Sequence, residues 1–119
     1  MGFTYARIRL VNAEKPSLSD VVELMVDTGA VYTIVQKDVL GKLQIRRRGS
    51  RVFQTVNKQK IERDIGVAVV EYMDKVGGTI VIFGEEMDTP VLGVTTLEEL
   101  GLEVDPVSKQ LKPMTLLLL

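Results

Sequence analysis

The chain has 119 residues, 45% hydrophobic and 26% charged, with a formal net charge of −1. That balance fits one small domain spanning residues 1–119 and excludes both a disordered tail and a polyanion binder built on overall charge. The sequence contains neither cysteine nor histidine, which excludes disulfides, thiol nucleophiles, histidine-based triads and most transition-metal centres.

Phe3, Tyr5, Arg7 and Arg9 alternate with Thr4, Ala6, Ile8 and Leu10, which predicts a first strand. Asn12 to Ser19, with Pro16 and two serines, predicts a loop. Val21 to Val26 is apolar at most positions of both faces, the pattern of a strand buried on both sides. It runs into Asp27-Thr28-Gly29, where Gly29 permits a sharp turn. Val31 to Val35 is rich in β-branched residues and predicts the next strand. Asp27 thus falls on a loop between buried strands, and a lone buried carboxylate is costly enough to need a reason.

Gln36 to Leu43 predicts a short helix with Val39, Leu40 and Leu43 on one face, weakened by Gly41. Ile45 to Tyr72 predicts a long hairpin. Its first run is Val52 to Val56, its polar tip Asn57-Lys58-Gln59-Lys60, and its returning run Ile61 to Tyr72. A turn at Asp74–Gly78, a strand at Thr79–Phe83 and a turn at Gly84–Asp88 follow. Val91-Leu92-Gly93 is an apolar pair closed by glycine. Thr95 or Thr96 is placed to cap a helix through Leu97 and Leu100, which Gly101 stops. Glu103 to Leu111 predicts a hairpin around Pro106-Val107-Ser108-Lys109. The result is a mostly β chain with two short helices. An apolar strand, a glycine and a short helix occur near Gly29 and again near Gly93, a weak internal echo of two half-lobes.

Arg46-Arg47-Arg48 and Arg51 form the one basic cluster, but no tryptophan and few aromatics accompany it. A solvated strand end explains it better than nucleic-acid stacking, so no nucleic-acid partner is expected. Met1 to Leu10 lacks the apolar core of a secretory signal. Ala6 stands where a myristoylation site needs serine or threonine, and four terminal leucines are too few to span a bilayer. These features lead to the expectation of a soluble cytoplasmic protein with no membrane partner.

Asp27-Thr28-Gly29-Ala30, entered through Leu24-Met25-Val26, resembles the active-site loop of retropepsin-like (clan AA) aspartic proteases, the single-domain homodimeric kind found in microbes and retroviruses. Val91-Leu92-Gly93 resembles that family's second hydrophobic–hydrophobic–glycine element. Thr96 to Leu102, followed by Glu103-Val104-Asp105-Pro106, is similar to its closing helix and strand. The resemblance implies a small acid-protease barrel with one or two short helices. It also implies an aspartic endopeptidase that hydrolyses peptide bonds without metal or cofactor. One loop supplies one aspartate, so the second must come from another copy in an isologous homodimer. Asp27 and its symmetry mate would share one proton and activate a water. Thr28 matches the threonine that braces the two loops across the interface, and Gly29 keeps backbone close to substrate.

By the same resemblance Met25, Ala30, Val31, Ile34 and Val91 fall at substrate pockets, and Asn57 and Lys58 on a flap that closes over bound peptide. Taken without the resemblance, Ala30, Ile34 and Val91 read as plain core. The sequence departs from the family pattern at three places. The tip reads Asn-Lys-Gln-Lys in place of a glycine-rich turn. Val31 stands where retroviral members carry an acid, and Val94-Thr95 where an arginine often follows. The alternative function is a non-cleaving peptide- or protein-binding or dimerisation module of the same fold. A nucleic-acid or structural β-domain unrelated to proteases is the third. Met114 to Leu119 would be an aggregation-prone edge if exposed. It is expected either to interleave into a sheet at a dimer interface or to form a strand buried in its own subunit.

Overall fold

The computed structural model describes residues 2–119. Among the described residues nine strands and two short helices follow one another: β1 (Tyr5–Val11), β2 (Ser19–Val26), β3 (Thr33–Gln36), α1 (Lys37–Lys42), β4 (Gly49–Gln54), β5 (Lys60–Tyr72), β6 (Lys75–Gly84), β7 (Val91–Leu92), α2 (Val94–Leu100), β8 (Leu102–Val104) and β9 (Leu111–Pro113). The alternation in the first strand holds: Ala6, Ile8 and Leu10 are buried while Tyr5, Arg7 and Arg9 face outward. They join Leu24, Val35, Leu40, Val70, Val81, Phe83, Leu92, Leu97 and Leu100 in the core.

The sheet corrects the expectation of a small barrel. Seven strands lie in the order β1-β2-β7-β3-β6-β5-β4, and β8 and β9 form a separate two-stranded sheet. β4 ends the larger sheet with no second strand partner among the described residues. At the other end β1 touches β5 over only three residue pairs, Arg9 with Glu71, Leu10 with Val70 and Val11 with Val69. The sheet curls back on itself at that seam without closing as a barrel. The physical reason lies in strand length. β7 has two residues and can pair with β3 only at Ile34–Val91, so the ladder cannot run continuously around a ring.

β2 is also less enclosed than its composition predicts. Only Leu24 is buried, and Val21 and Glu23 are exposed, while β1 pairs with the strand from Ser19 to Met25. Asn12 closes the loop that follows β1. Its side-chain amide donates to the carbonyls of Leu43 (2.8 Å) and Gln44 (3.0 Å), and its side-chain oxygen accepts from the Glu14 and Lys15 N–H groups. The loop is thereby tied to the end of α1, and a buried polar side chain is fully satisfied.

α2 begins differently from expectation. Gly93 is the N-cap and no side chain caps the helix. Val94 and Thr95 donate their N–H groups to the carbonyls of Ala30 (2.8 Å) and Val31 (3.0 Å). Backbone from the Asp27 loop thus satisfies donors that a helix start leaves open. The threonine hydroxyl is needed elsewhere: Thr96 is buried among Thr33 and Thr79. Gly101 ends the helix in the left-handed conformation, φ +70°, as its position predicts.

The long hairpin forms, but its first strand starts at Gly49 and its second at Lys60. β5 pairs with β6 only from Ile65 onward. Among the described residues Lys60–Asp64 therefore have β4 as their only strand partner and project from the sheet as a two-stranded arm. Beyond β9 the tail has no strand. Met114 donates its N–H to the Gly101 carbonyl at 2.9 Å, and Leu116 to Leu119 are exposed. This overturns the reading of the tail as a strand buried in its own subunit.

Candidate active site

β2 delivers Asp27 to the point where β2, β7 and α2 meet. Leu92 on β7 runs parallel to Val26, and its carbonyl accepts the Asp27 N–H at 3.0 Å. The chain then reverses tightly. Ala30 N–H donates to the Asp27 carbonyl at 3.0 Å, and Gly29 N–H donates to Asp27 Oδ1 at 2.9 Å. The carboxylate thus organises its own turn through one oxygen, while Oδ2 has no intrachain hydrogen bond among the described residues. Asp27 is half-buried and Thr28 and Gly29 are exposed, so the acid is less enclosed than a loop between buried strands predicts.

The loop is held from behind by a close backbone crossing. A Cβ on Gly93 would lie 2.5 Å from the carbonyl carbon and oxygen of Tyr32 and 2.9 Å from the Val31 oxygen, so only glycine admits the approach. Gly93 N–H donates to Thr33 Oγ1 at 3.0 Å. Thr33 shares a short hydrogen bond with Thr96, and Thr96 shares one of 2.8 Å with Thr79. A chain of three buried hydroxyls therefore joins β3, α2 and β6 beneath the loop. Such a network is stiff because any member that leaves would strand its neighbours in low dielectric.

Two concave surfaces flank the loop. On one side Ala30, Val31 and Ile34 line a mainly apolar cavity of about 290 Å³, completed by Tyr32, Phe53, Ile61, Ile82 and the Arg63–Asp88 ion pair. On the other side Thr28 borders an open groove of about 590 Å³ with Phe3, Thr4, Val26, Val94 and Met114. Of the residues the sequence places at substrate pockets, the structure brings Ala30, Val31 and Ile34 together. Met25 and Val91 do not line the cavity: they pair with each other between β2 and β7, and Val91 is buried. Asn57 and Lys58 stand exposed at the arm's tip. Lys58 adopts φ +63° there, a left-handed conformation that glycine would take without strain.

Phe53 and Ile61 were not singled out from the sequence. They face each other across the arm, and counting outward from the tip in alternate steps would have found them. The Arg63–Asp88 contact joins residues remote in sequence and had no local signal. The basic cluster is committed within the chain. Arg46 and Arg48 both bind Glu14, Arg47 binds Asp64 and lies 4.6 Å above the Phe83 ring, and Arg51 binds Tyr32.

No protein-family model and no curated protein matches the sequence. Solved structures do match the fold. One is the solution structure of simian foamy virus (mac) protease, with a TM-score of 0.51, 13% sequence identity, and coverage of 80% of this chain and 92% of that chain. The chain is distantly similar in fold to a retropepsin. At that identity the likeness concerns architecture alone. No helix among the described residues is long and apolar enough to cross a membrane.

Proposed function

We propose that the chain is an aspartic-type endopeptidase that works as a homodimer, with Asp27 of each copy facing the other across a twofold axis. The observation that carries this reading is the state of Asp27 in the single chain. One carboxylate oxygen is held by Gly29 N–H, the other is open, and the loop tip is exposed. Half of a two-carboxylate site would look like this. The groove beside Thr28 and the exposed Phe3 (72% accessible) and Leu116 to Leu119 supply apolar surface for a second copy to cover.

Two carboxylates held close cannot both ionise, so the pair keeps one proton between them. The ionised member takes a proton from a water, and the resulting nucleophile forms a C–O bond at the scissile carbonyl. The protonated member donates to the carbonyl oxygen as its π bond opens. Collapse of the tetrahedral intermediate breaks the C–N bond, the amine leaves with a proton from the pair, and the carboxylic acid product forms. Atoms balance with one water consumed and no covalent enzyme adduct. The cavity of about 290 Å³ suits one apolar substrate side chain, since it falls at the low end of ligand-site volumes.

A second reading, a peptide-binding module that does not cleave, draws on one observation: Asp27 is not among the residues lining that cavity. Asp27→Asn separates the two. Under the first reading the variant keeps its circular dichroism and its mass in solution but loses hydrolysis of a peptide library by at least about a hundredfold, the scale of lost general acid–base catalysis. Binding of peptides without cleavage by the parent protein at any pH from acid to neutral establishes the second reading instead.

A further inference from the structure

The arm carries two arginines directly opposite each other, Arg51 on β4 and Arg63 on β5. Like charges at a cross-strand position repel, and each arginine is turned to a different part of the body. Arg63 grips Asp88, in the turn between β6 and β7, through two hydrogen bonds of 2.7 and 3.0 Å. The pair is nearly enclosed, with side chains 13% and 14% accessible. Asp88 Oδ2 also accepts the Glu85 N–H at 2.8 Å, so the carboxylate belongs to a fixed turn. Arg51 reaches the Asp27 loop instead. Its Nη1 donates to the Tyr32 hydroxyl at 2.6 Å, and its guanidinium carbon lies 5.2 Å from the Tyr32 ring centre.

Two rungs nearer the tip, and so on the same face, Phe53 opposite Ile61 lines the cavity. Phe53 meets Tyr32 edge-on at 6.3 Å. A free two-stranded ribbon is marginal in water by itself, and the arm beyond Ile65 has no other strand to hold it. We infer that the Arg51–Arg63 rung is the arm's anchorage: Arg63–Asp88 is a pivot, and Arg51–Tyr32 is a release latch that sets whether the Phe53–Ile61 rung covers the cavity. The asymmetry follows from the contacts. The pivot is bidentate, between opposite charges and shielded, whereas the latch is a single hydrogen bond from an exposed arginine to a neutral phenol. The latch therefore opens first, and the arm turns about the pivot. Arg51, Tyr32, Arg63 and Asp88 are positioning residues, and the device works whether the covered segment is cut or only bound.

The chain's lack of cysteine permits a direct test. Asn57→Cys at the tip and Asp38→Cys on α1 place two spin labels on one chain, excess unlabelled protein keeps labelled chains from pairing with each other, and pulsed electron resonance reads the distance between the two labels. The otherwise unaltered protein is expected to give one narrow distance distribution. Tyr32→Phe, which keeps the ring, and Arg51→Gln should each add a second population at a different distance without changing the circular dichroism. Arg51→Lys should restore most of the narrow population. Asp88→Asn combined with Tyr32→Phe should broaden the distribution beyond Tyr32→Phe alone. Distributions for Tyr32→Phe and Arg51→Gln that match the unaltered protein overturn the latch. Equal widths for the double and single variants overturn the pivot. The same measurement on an Asp27→Asn background needs no substrate, so failure of the peptidase reading leaves it intact.

Discussion

Gly93 shows how much can depend on one absent methyl group. The backbone of the Asp27 loop crosses it at a distance that a Cβ would violate, and its N–H feeds the buried hydroxyl chain through Thr33. Gly93→Ala should destabilise the fold by about 1–3 kcal/mol or more, the usual cost of overpacking against atoms that cannot move. Urea unfolding measures it, and a change under about 0.5 kcal/mol, typical of an unconstrained surface site, would show that the loop can move aside. Asp27 is the opposite case, because its value lies in chemistry. Its turn needs only one carboxylate oxygen, which Asn can also supply, so Asp27→Asn should leave stability nearly unchanged while removing hydrolysis. Loss of both together would mark Asp27 as structural.

Among the elements, α2 and the arm depart most from what local sequence predicts. Thr95 and Thr96 look like helix caps, but the N-cap is Gly93 because carbonyls from the Asp27 loop already satisfy the helix's first donors. The arm depends on the Arg63–Asp88 pair. Hydrogen bonding from Arg63 holds the Asp88 carboxyl below the usual aspartate range, against the opposing effect of burial and with help from the Glu85 N–H. A carboxyl lowered in the folded state contributes stability that is complete above its unfolded pKa of about 3.9. That contribution is lost as pH falls through the lower folded value. Asp88→Asn should therefore cost about 2 kcal/mol at neutral pH, the scale of a charge-assisted hydrogen bond. The gap between variant and parent should shrink as pH drops below about 4. Chemical unfolding at a series of pH values reads the gap, and one that widens in acid would contradict the assignment.

For the whole molecule the deciding question is whether two chains make one site. If they do, activity per chain should fall on dilution below the dimer dissociation constant and return on concentration, with sedimentation showing the mass halve over the same range. Activity per chain that stays constant while the mass is that of one chain would exclude a shared site. The exposed Leu116 to Leu119 and the groove beside Thr28 are the surfaces such a dimer would cover.

Much of this architecture could be read from periodicity and punctuation. The alternation of Tyr5 to Leu10, the Asp27-Thr28-Gly29 turn, the polar tip of the long hairpin and the stop at Gly101 are local facts, decided by backbone sterics and by which side of a strand is apolar. What required the folded chain was every contact between segments distant in sequence. β7 is inserted between β2 and β3, Thr96 turns inward to Thr33 and Thr79, and Arg63 meets Asp88. The open sheet belongs with these, since a strand's edge partner depends on how far neighbouring strands reach and not on its own pattern. Local sequence sets the conformation each residue prefers; only tertiary structure decides which buried donor finds which acceptor.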